Sequence, residues 1–138
     1  GYQKALMLAG LDVFPAVTLL GPEDYMHFGD HLKETKATAV VVIDDIFALR
    51  IIQLAELHHY KVPDDLSLIS FNNSIFATLT HPYLTSVDVA IPDLGRHGIQ
   101  ALIKQLKEPD QPSAGLRVVV PHQLVERETV LDINEKKD

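Results

Sequence analysis

The chain has 138 residues, a length that favours one compact unit with a single hydrophobic core. Hydrophobic residues make up 46% of it and charged residues 22%, an ordinary globular composition that argues against intrinsic disorder. There is no cysteine, so a disulfide scaffold, a thiolate zinc site and a cysteine nucleophile are excluded. The formal net charge of -7 disfavours unaided binding to nucleic-acid phosphates.

No part of the sequence indicates membrane targeting. The longest apolar stretch, residues 37–43, is far shorter than the roughly 20 residues that a membrane helix needs. The first residues show neither an initiator Met nor a signal-peptide pattern. We therefore expect no contact with a membrane, and we expect the chain to be part of something longer.

The first third of the chain predicts a helix, a strand and a second helix. The first helix spans residues 2–10, with Gly10 as its C-cap, because glycine readily adopts the conformation that ends a helix. The strand spans residues 16–20. The second helix spans residues 24–34 and is interrupted by Gly29.

The middle of the chain predicts one strand-helix-strand unit. Residues 38–43 form a continuous β-branched run, which predicts a strand buried on both faces of a parallel sheet. A helix follows over residues 46–60, and either Asp44 or Asp45 is placed to cap it, with Asp45 favoured. After a turn, residues 66–71 form the second strand.

The last third continues the same alternation. It predicts an extended segment over residues 84–87, a helix from Pro92 to Lys107, and strands over 117–120 and 124–130. Alternating strands and helices indicate an α/β fold with a mainly parallel sheet.

Polar pairs follow two of the predicted strands, Asp44 with Asp45 and Asn72 with Asn73. Ligands of such sheets bind beyond the carboxyl ends of the strands, so we expect a site there. The two carboxylates suit a general acid/base pair, a metal site or a phospho-acceptor pocket. A receiver domain needs a further aspartate and a lysine, where this chain has asparagines. The structural alternative is a helix cap at Asp45, with the asparagines forming turns.

Other catalytic signals are weak. His27 and His31 have the spacing of two metal ligands on one helix face, but the segment lacks the glutamate of a metalloprotease helix. Solvent-facing histidines are the simpler interpretation. There is no glycine-rich phosphate loop and no G-x-S-x-G nucleophile elbow. We therefore favour a binding domain without a cofactor over an enzyme.

Ordered motifs along almost the whole chain match one family pattern. Residues 62–73, VPDDLSLISFNN, match V-P-[ED]-D-[LIV]-S-[VL]-[VI]-[GS]-[FY]-[DN]-[DN]. Residues 37–45, ATAVVVIDD, resemble P-T-A-[IV]-x-x-x-N-D, with Ala37 in place of the Pro and Asp44 in place of the Asn. The other matches are GYQKAL at 1–6, HPYLTSV at 81–87, LGR at 94–96 and VPHQLVERET at 120–129. The chain thus resembles the lactose/galactose-repressor (LacI/GalR) family of bacterial transcription regulators, and SFNNS at 70–74 is most similar to its maltose-type members.

The resemblance implies a type I periplasmic-binding-protein-like effector domain, an α/β fold whose parallel sheet is flanked by helices. In that family a small molecule lies between two lobes, and this chain would hold mostly the C-terminal lobe. The implied division is residues 1–88 for that lobe, 89–121 for a returning segment of the N-terminal lobe, 122–131 for a closing strand, and 132–138 for a polar tail.

The resemblance also implies the effector-binding residues. The family's effector-contacting Asn falls on Asp44, and the first Asp after its aromatic residue falls on Asn72, so the two positions have exchanged chemistry. A family aromatic that stacks on the effector falls near Tyr25. Asp45 and Asn73 complete the expected set. Carboxylate and carboxamide oxygens both accept hydrogen bonds from sugar hydroxyls.

The implied function is sugar sensing by a cytoplasmic transcriptional repressor that responds to maltose or a related sugar. The resemblance implies a homodimer, no catalysis, and contact with operator DNA only through an N-terminal helix-turn-helix that this chain lacks. The alternative is a sugar-binding protein of a transport system with the same fold. A third possibility is an enzyme, which would need a strongly perturbed carboxylate at Asp44 or Asp45.

The helix from Pro92 to Lys107 would have its usual lobe partners absent. We therefore expect it to pack on a neighbouring chain or on another part of this one. Close packing would also explain Gly95 and Gly98, which are unfavourable inside a helix.

Overall fold

The computed structural model describes residues 1–12, 22–79, 81–108 and 117–132. The chain divides into two compact units, residues 1–36 and 37–138. The first unit contains α1 (Tyr2–Leu8), α2 (Pro22–Met26) and α3 (Phe28–Thr35). The predicted strand over residues 16–20 lies outside the described residues.

The helices of the first unit differ from the prediction at their boundaries. Ala9 is the C-cap of α1, and Gly10 follows it with a left-handed φ of 68°. The second predicted helix is broken at His27 rather than at Gly29, because His27 has a non-helical ψ of 8° and serves as the N-cap of α3. Gly29 lies inside α3 and is buried.

The second unit contains the sheet. Its elements are β1 (Ala39–Val41), α4 (Asp45–Leu57), β2 (Ser67–Phe71), a short 3-10 helix (Ile75–Thr78), β3 (Thr85–Asp88), α5 (Ile91–Lys107) and β4 (Gln123–Val125). The strand order is β1-β2-β3-β4. The first three strands are parallel, and β4 runs antiparallel to β3. The predicted α/β fold with a mainly parallel sheet is confirmed.

One face of α4 forms the core with the sheet. The buried helix residues recur at one helical face, as expected of an amphipathic helix packed on a sheet. They are Ala48, Ile51, Leu54 and Ala55. Leu66, Leu68 and Leu84 on and before the strands are fully buried with them. The helix ends at Leu57, earlier than predicted, because His59 adopts a left-handed φ of 65°.

The prediction that the first strand is buried on both faces is wrong for the described residues. Val41 is 60% exposed and Ile43 is 79% exposed. The strand pairs with β2 along one edge, and its residues Ala39 and Val41 are exposed. The continuous apolar run over residues 38–43 therefore includes side chains that the described residues leave exposed.

Two predictions near the carboxyl terminus also differ from the structure. Residues 117–120 are not a strand, and Val119 is 73% exposed. A strand needs a hydrogen-bonding partner, and none pairs with this segment in the described part of the chain. The closing strand is β4 alone, shorter than the predicted residues 124–130. Beyond it, the N–H of Arg127 donates to the Thr85 hydroxyl, and the Thr129 hydroxyl bonds to the backbone of Leu68 and Thr85.

The long helix α5 forms as predicted, with Pro92 in its first turn. No residue on it is buried, and its apolar side chains are exposed. A Cβ added at Gly95 or Gly98 would meet nothing within 4 Å. Within the described residues the helix therefore does not pack closely on this chain, contrary to one of the two expected outcomes. In the same part of the chain, no helix is long and apolar enough to cross a membrane.

Candidate functional site

The two predicted polar pairs meet at one edge of the sheet. Asp44 follows β1, Asn72 follows β2, and these strands are parallel neighbours, so their carboxyl ends lie side by side. The carboxamide Nδ2 of Asn72 donates to Oδ2 of Asp44 over 2.5 Å. Both side chains are partly buried, so the polar groups of the pair remain accessible to solvent.

Asp44, rather than Asp45, caps α4. Its backbone is extended, with φ -158° and ψ 148°, as an N-cap requires, and its Oδ1 accepts from the N–H of Ile46 over 2.8 Å. The expectation that Asp45 is the cap is wrong, because Asp45 is already the first helical residue. The cap uses one oxygen of Asp44 and the bond from Asn72 uses the other. Each oxygen retains capacity to accept a further hydrogen bond.

Asp45 is fully buried and tied to three serines. Its Oδ1 accepts from the hydroxyls of Ser70 and Ser86 over 2.6 and 2.7 Å. Its Oδ2 accepts from the backbone N–H and the hydroxyl of Ser74 over 2.6 and 2.8 Å. Sequence reasoning missed these serines, although Ser70 interrupts the apolar side of a strand and so gave a detectable signal.

The protonation of Asp45 follows from this environment. Burial acts to raise the pKa of the carboxyl group, but the hydrogen bonds from Ser70, Ser86 and Ser74 outweigh it and lower the pKa below the usual 3.8. The carboxylate therefore stays ionised at neutral pH. A general acid or base needs a pKa close to the operating pH, so this shift has the wrong direction for proton transfer.

Asn73 connects several segments. Its backbone N–H donates to the hydroxyl of Ser86 over 3.0 Å, and its Nδ2 donates to Oδ2 of Asp88 over 3.1 Å. Its Oδ1 accepts from Nη2 of Arg127 over 2.6 Å, while Nη1 of Arg127 donates to the carbonyl of Leu84 over 2.6 Å. The alternative expected from the sequence is that Asn73 forms a turn, and the residue does have a left-handed φ of 46°.

The other candidates lie in the first unit. Tyr25 lies on α2 and is not among the side chains of the hydrogen-bond network just described. His27 lies 3.9 Å from Asp30, with a side chain 68% exposed. No group of three or more potential metal ligands occurs in the described residues.

Parallel strands joined through α4, with polar residues at their carboxyl edge, are typical of ligand-binding α/β folds. The fold is of the type I periplasmic-binding-protein-like class. The chain belongs to the periplasmic binding protein-like domain family, whose model matches residues 1–130. The division of the chain into lobe segments stays a prediction.

Similar proteins are transcription regulators. The chain is 34% identical to the HTH-type transcriptional regulator DegA of Bacillus subtilis, over 97% of this chain and 40% of that protein. It is 32% identical to the HTH-type transcriptional regulator RegA of Clostridium saccharobutylicum, over 95% of this chain and 40% of that protein. It spans about two fifths of the length of the curated relatives it matches.

Solved structures agree on the fold. The transcription regulator CcpA of Lactococcus lactis superposes with a TM-score of 0.78 at 27% identity, over 94% of this chain and 48% of that one. The transcriptional regulator CelR in complex with cellobiose gives a TM-score of 0.76 at 22% identity, over 93% of this chain and 40% of that one. At that identity the second match supports the fold alone.

Proposed function

We propose that this chain is the effector-binding region of a LacI-family transcriptional regulator and that its effector is a sugar. The observation that carries the proposal is the hydrogen-bonded pair of Asp44 and Asn72 at the carboxyl edge of β1 and β2. The regulators among its relatives favour this function over a sugar-binding protein of a transport system.

The chemistry of the pair suits a neutral polyhydroxylated ligand. An ionised carboxylate accepts hydrogen bonds from hydroxyls more strongly than a neutral oxygen does. The oxygen of the Asn72 carboxamide, which the bond to Asp44 does not use, offers a second acceptor beside it. Adjacent hydroxyls of one sugar ring match two adjacent acceptors. Maltose or a related sugar is our specific hypothesis, and Tyr25 is the proposed aromatic contact.

Asp45 and Asn73 serve the site in a different way from Asp44. The resemblance predicts both as effector contacts, but their polar atoms already bond to Ser70, Ser74, Ser86, Asp88 and Arg127. We assign to them the task of holding Asp44 and Asn72, their immediate neighbours in sequence, in place. This arrangement requires no catalysis and no cofactor.

In the complete protein, sugar binding would change the affinity of a separate helix-turn-helix for operator DNA. We place that protein in the cytoplasm as a homodimer. Coupling between two such sites is typically worth 1 to 3 kcal/mol, so the sugar would shift operator affinity by about 5- to 150-fold.

Calorimetric titration of maltose, cellobiose and ribose into the complete protein tests the proposal. We expect heat of binding for one sugar and its loss in the variant Asp44→Ala. Glu56→Ala is the matched control, because it removes an exposed carboxylate from the same helix, distant in sequence from the cap. Absence of binding by every sugar, in a protein shown to be folded, would contradict the proposal.

A further inference from the structure

Asn73 lies between the candidate effector pair and the chain segment that leads into α5. It follows Asn72 directly, and both residues have left-handed backbones, with φ values of 96° and 46°. Because the two residues are joined by one peptide group and both have a positive φ, we expect a displacement of the Asn73 side chain to shift the backbone that carries the Asn72 carboxamide.

One side of the Asn73 carboxamide reaches the start of α5 through Asp88. Oδ2 of Asp88 accepts from Nδ2 of Asn73 over 3.1 Å, and Oδ1 accepts from the N–H of Ala90 over 2.8 Å. Ala90 is the N-cap of α5 and has a left-handed φ of 49°. These hydrogen bonds lower the pKa of Asp88, that from Ala90 first and that from Asn73 second, so the bridge is ionised at neutral pH. The carboxylate therefore connects Asn73 to Ala90, and both residues have a positive φ.

The other side of the same carboxamide is fixed by Arg127. Nη2 of Arg127 donates to Oδ1 of Asn73 over 2.6 Å, and the backbone N–H of Arg127 donates to Oγ1 of Thr85 over 3.0 Å. The guanidinium group can only donate and the Asp88 carboxylate can only accept, so the carboxamide has one satisfactory orientation. The amide supplies the one donor and the one acceptor that a bridge between these two partners requires.

We propose that Asn73 is a positioning residue that couples the placement of the Asn72 carboxamide to the path of the chain from β3 into α5. The proposal rests on the proposed function only in taking Asn72 as an effector contact. An effector that moves Asn72 would then change the turn at Ala90, and with it the direction of α5.

Exchange of the bridging groups tests the coupling in the full chain without a ligand. In Asp88→Asn, the new amide N–H group faces the N–H group of Asn73. A flip of the new amide at position 88 would lose the hydrogen bond from Ala90, and a flip of the Asn73 amide would lose the hydrogen bond from Arg127. In Asn73→Asp, two carboxylates face each other. The double variant Asn73→Asp/Asp88→Asn restores every hydrogen bond with donor and acceptor exchanged and with the net charge unchanged.

We expect hydrogen exchange at the Ala90 amide to be about tenfold faster in each single variant, as for the loss of one hydrogen bond. The NMR resonances of the Asn72 side-chain amide should shift in the same variants, and both signals should return to their original values in the double variant. Asp93→Asn is the control, since it changes the same charge in the first turn of α5 and its partner is Arg96. Asn73→Gly keeps the left-handed turn, and it should reproduce both changes if a single variant does not fold.

A change at Ala90 with unaltered Asn72 resonances would overturn the proposal, and so would a double variant that does not recover. Failure of every sugar to bind would instead contradict the proposed function, because these readings are taken without ligand.

Discussion

At the scale of single residues, Asp45 is the most constrained side chain of the site. A buried carboxylate without a cation is normally costly, and here four hydrogen-bond donors compensate for the lost water. Its three serine partners come from β2, β3 and the segment after β2. The side chain therefore joins the start of α4 to the strand ends that carry Asn72 and Asn73.

Asp45→Asn should destabilise the fold by about 2 to 4 kcal/mol, because the new amide group faces donors and the charge-assisted hydrogen bonds are lost. Urea denaturation of both proteins measures the difference. Asp44→Asn is the matched control, since asparagine caps a helix as well as aspartate does, and we expect it to cost under about 1 kcal/mol. Equal stability of Asp45→Asn and the wild type would contradict this account of the buried carboxylate.

The acid sensitivity of the fold should depend on the same residue. The folded-state pKa of Asp45 lies below its usual value of 3.8, so its ionisation stabilises the fold fully above pH 3.8. That contribution is lost as pH falls below 3.8 through the lowered pKa. The urea midpoint should therefore fall as the pH is lowered through 3.8, and fall less steeply in Asp45→Asn. Parallel pH profiles for the two proteins would refute this role.

At the scale of elements, the sequence was informative where a pattern is local. The β-branched run before Asp44 predicted β1, and Pro92 marked the start of α5. Ser70 could be noticed as a polar residue on the apolar side of a strand, but its pairing with Asp45, and that of Thr129 with Leu68, could not be predicted because the partners lie 25 and 61 residues apart in sequence. The sequence also could not show which of Asp44 and Asp45 caps α4. Both side chains suit a cap, and only the backbone angles distinguish the two residues.

Thr129 shows how a single side chain closes the sheet. Its backbone carbonyl accepts from the N–H of Leu68 over 2.7 Å, and its hydroxyl donates to the carbonyl of Leu68 over 2.7 Å. The hydroxyl also accepts from the N–H of Thr85 over 2.9 Å. It thus completes the hydrogen bonding between β2 and β3 where their own ladder begins, which explains why β4 stops short of residue 129.

Thr129→Val keeps the shape of this buried side chain and removes the hydroxyl. It should cost about 1 to 3 kcal/mol of unfolding free energy, because Thr85 and Leu68 are left with unpaired backbone groups. Thermal and urea unfolding check the value against Thr78→Val, a threonine whose hydroxyl is exposed. A cost no larger than that of Thr78→Val would argue against the bridging role.

At the scale of the whole molecule, α5 presents an apolar stripe with no cover in the described residues. Its members recur at helical spacing and are between 46% and 59% exposed: Ile91, Leu94, Ile99, Leu102 and Ile103. Contiguous exposed apolar surface of this kind promotes association. The sequence predicts that α5 packs either on another part of this chain or on a neighbouring chain. In the described residues it does not pack on this chain, so we expect it to pack on a neighbouring one.

The isolated chain should therefore self-associate at micromolar concentration, and Leu102→Glu should shift it toward the monomer. Analytical ultracentrifugation measures this directly. Gln100→Glu introduces the same charge on the other side of the helix and should leave the association unchanged. A strictly monomeric wild-type chain would contradict this prediction.

The most direct test of the central claim exchanges the side chains of Asp44 and Asn72. The sugar that binds the wild-type protein is then titrated into the variant by calorimetry. The double variant Asp44→Asn/Asn72→Asp keeps one carboxylate, one carboxamide, the helix cap and the bond between the two side chains. We predict an affinity within about threefold of the wild type for this variant and a loss of at least about tenfold for Asp44→Ala. If Asp44→Ala binds the sugar like the wild type, the effector does not contact this pair and the account is wrong.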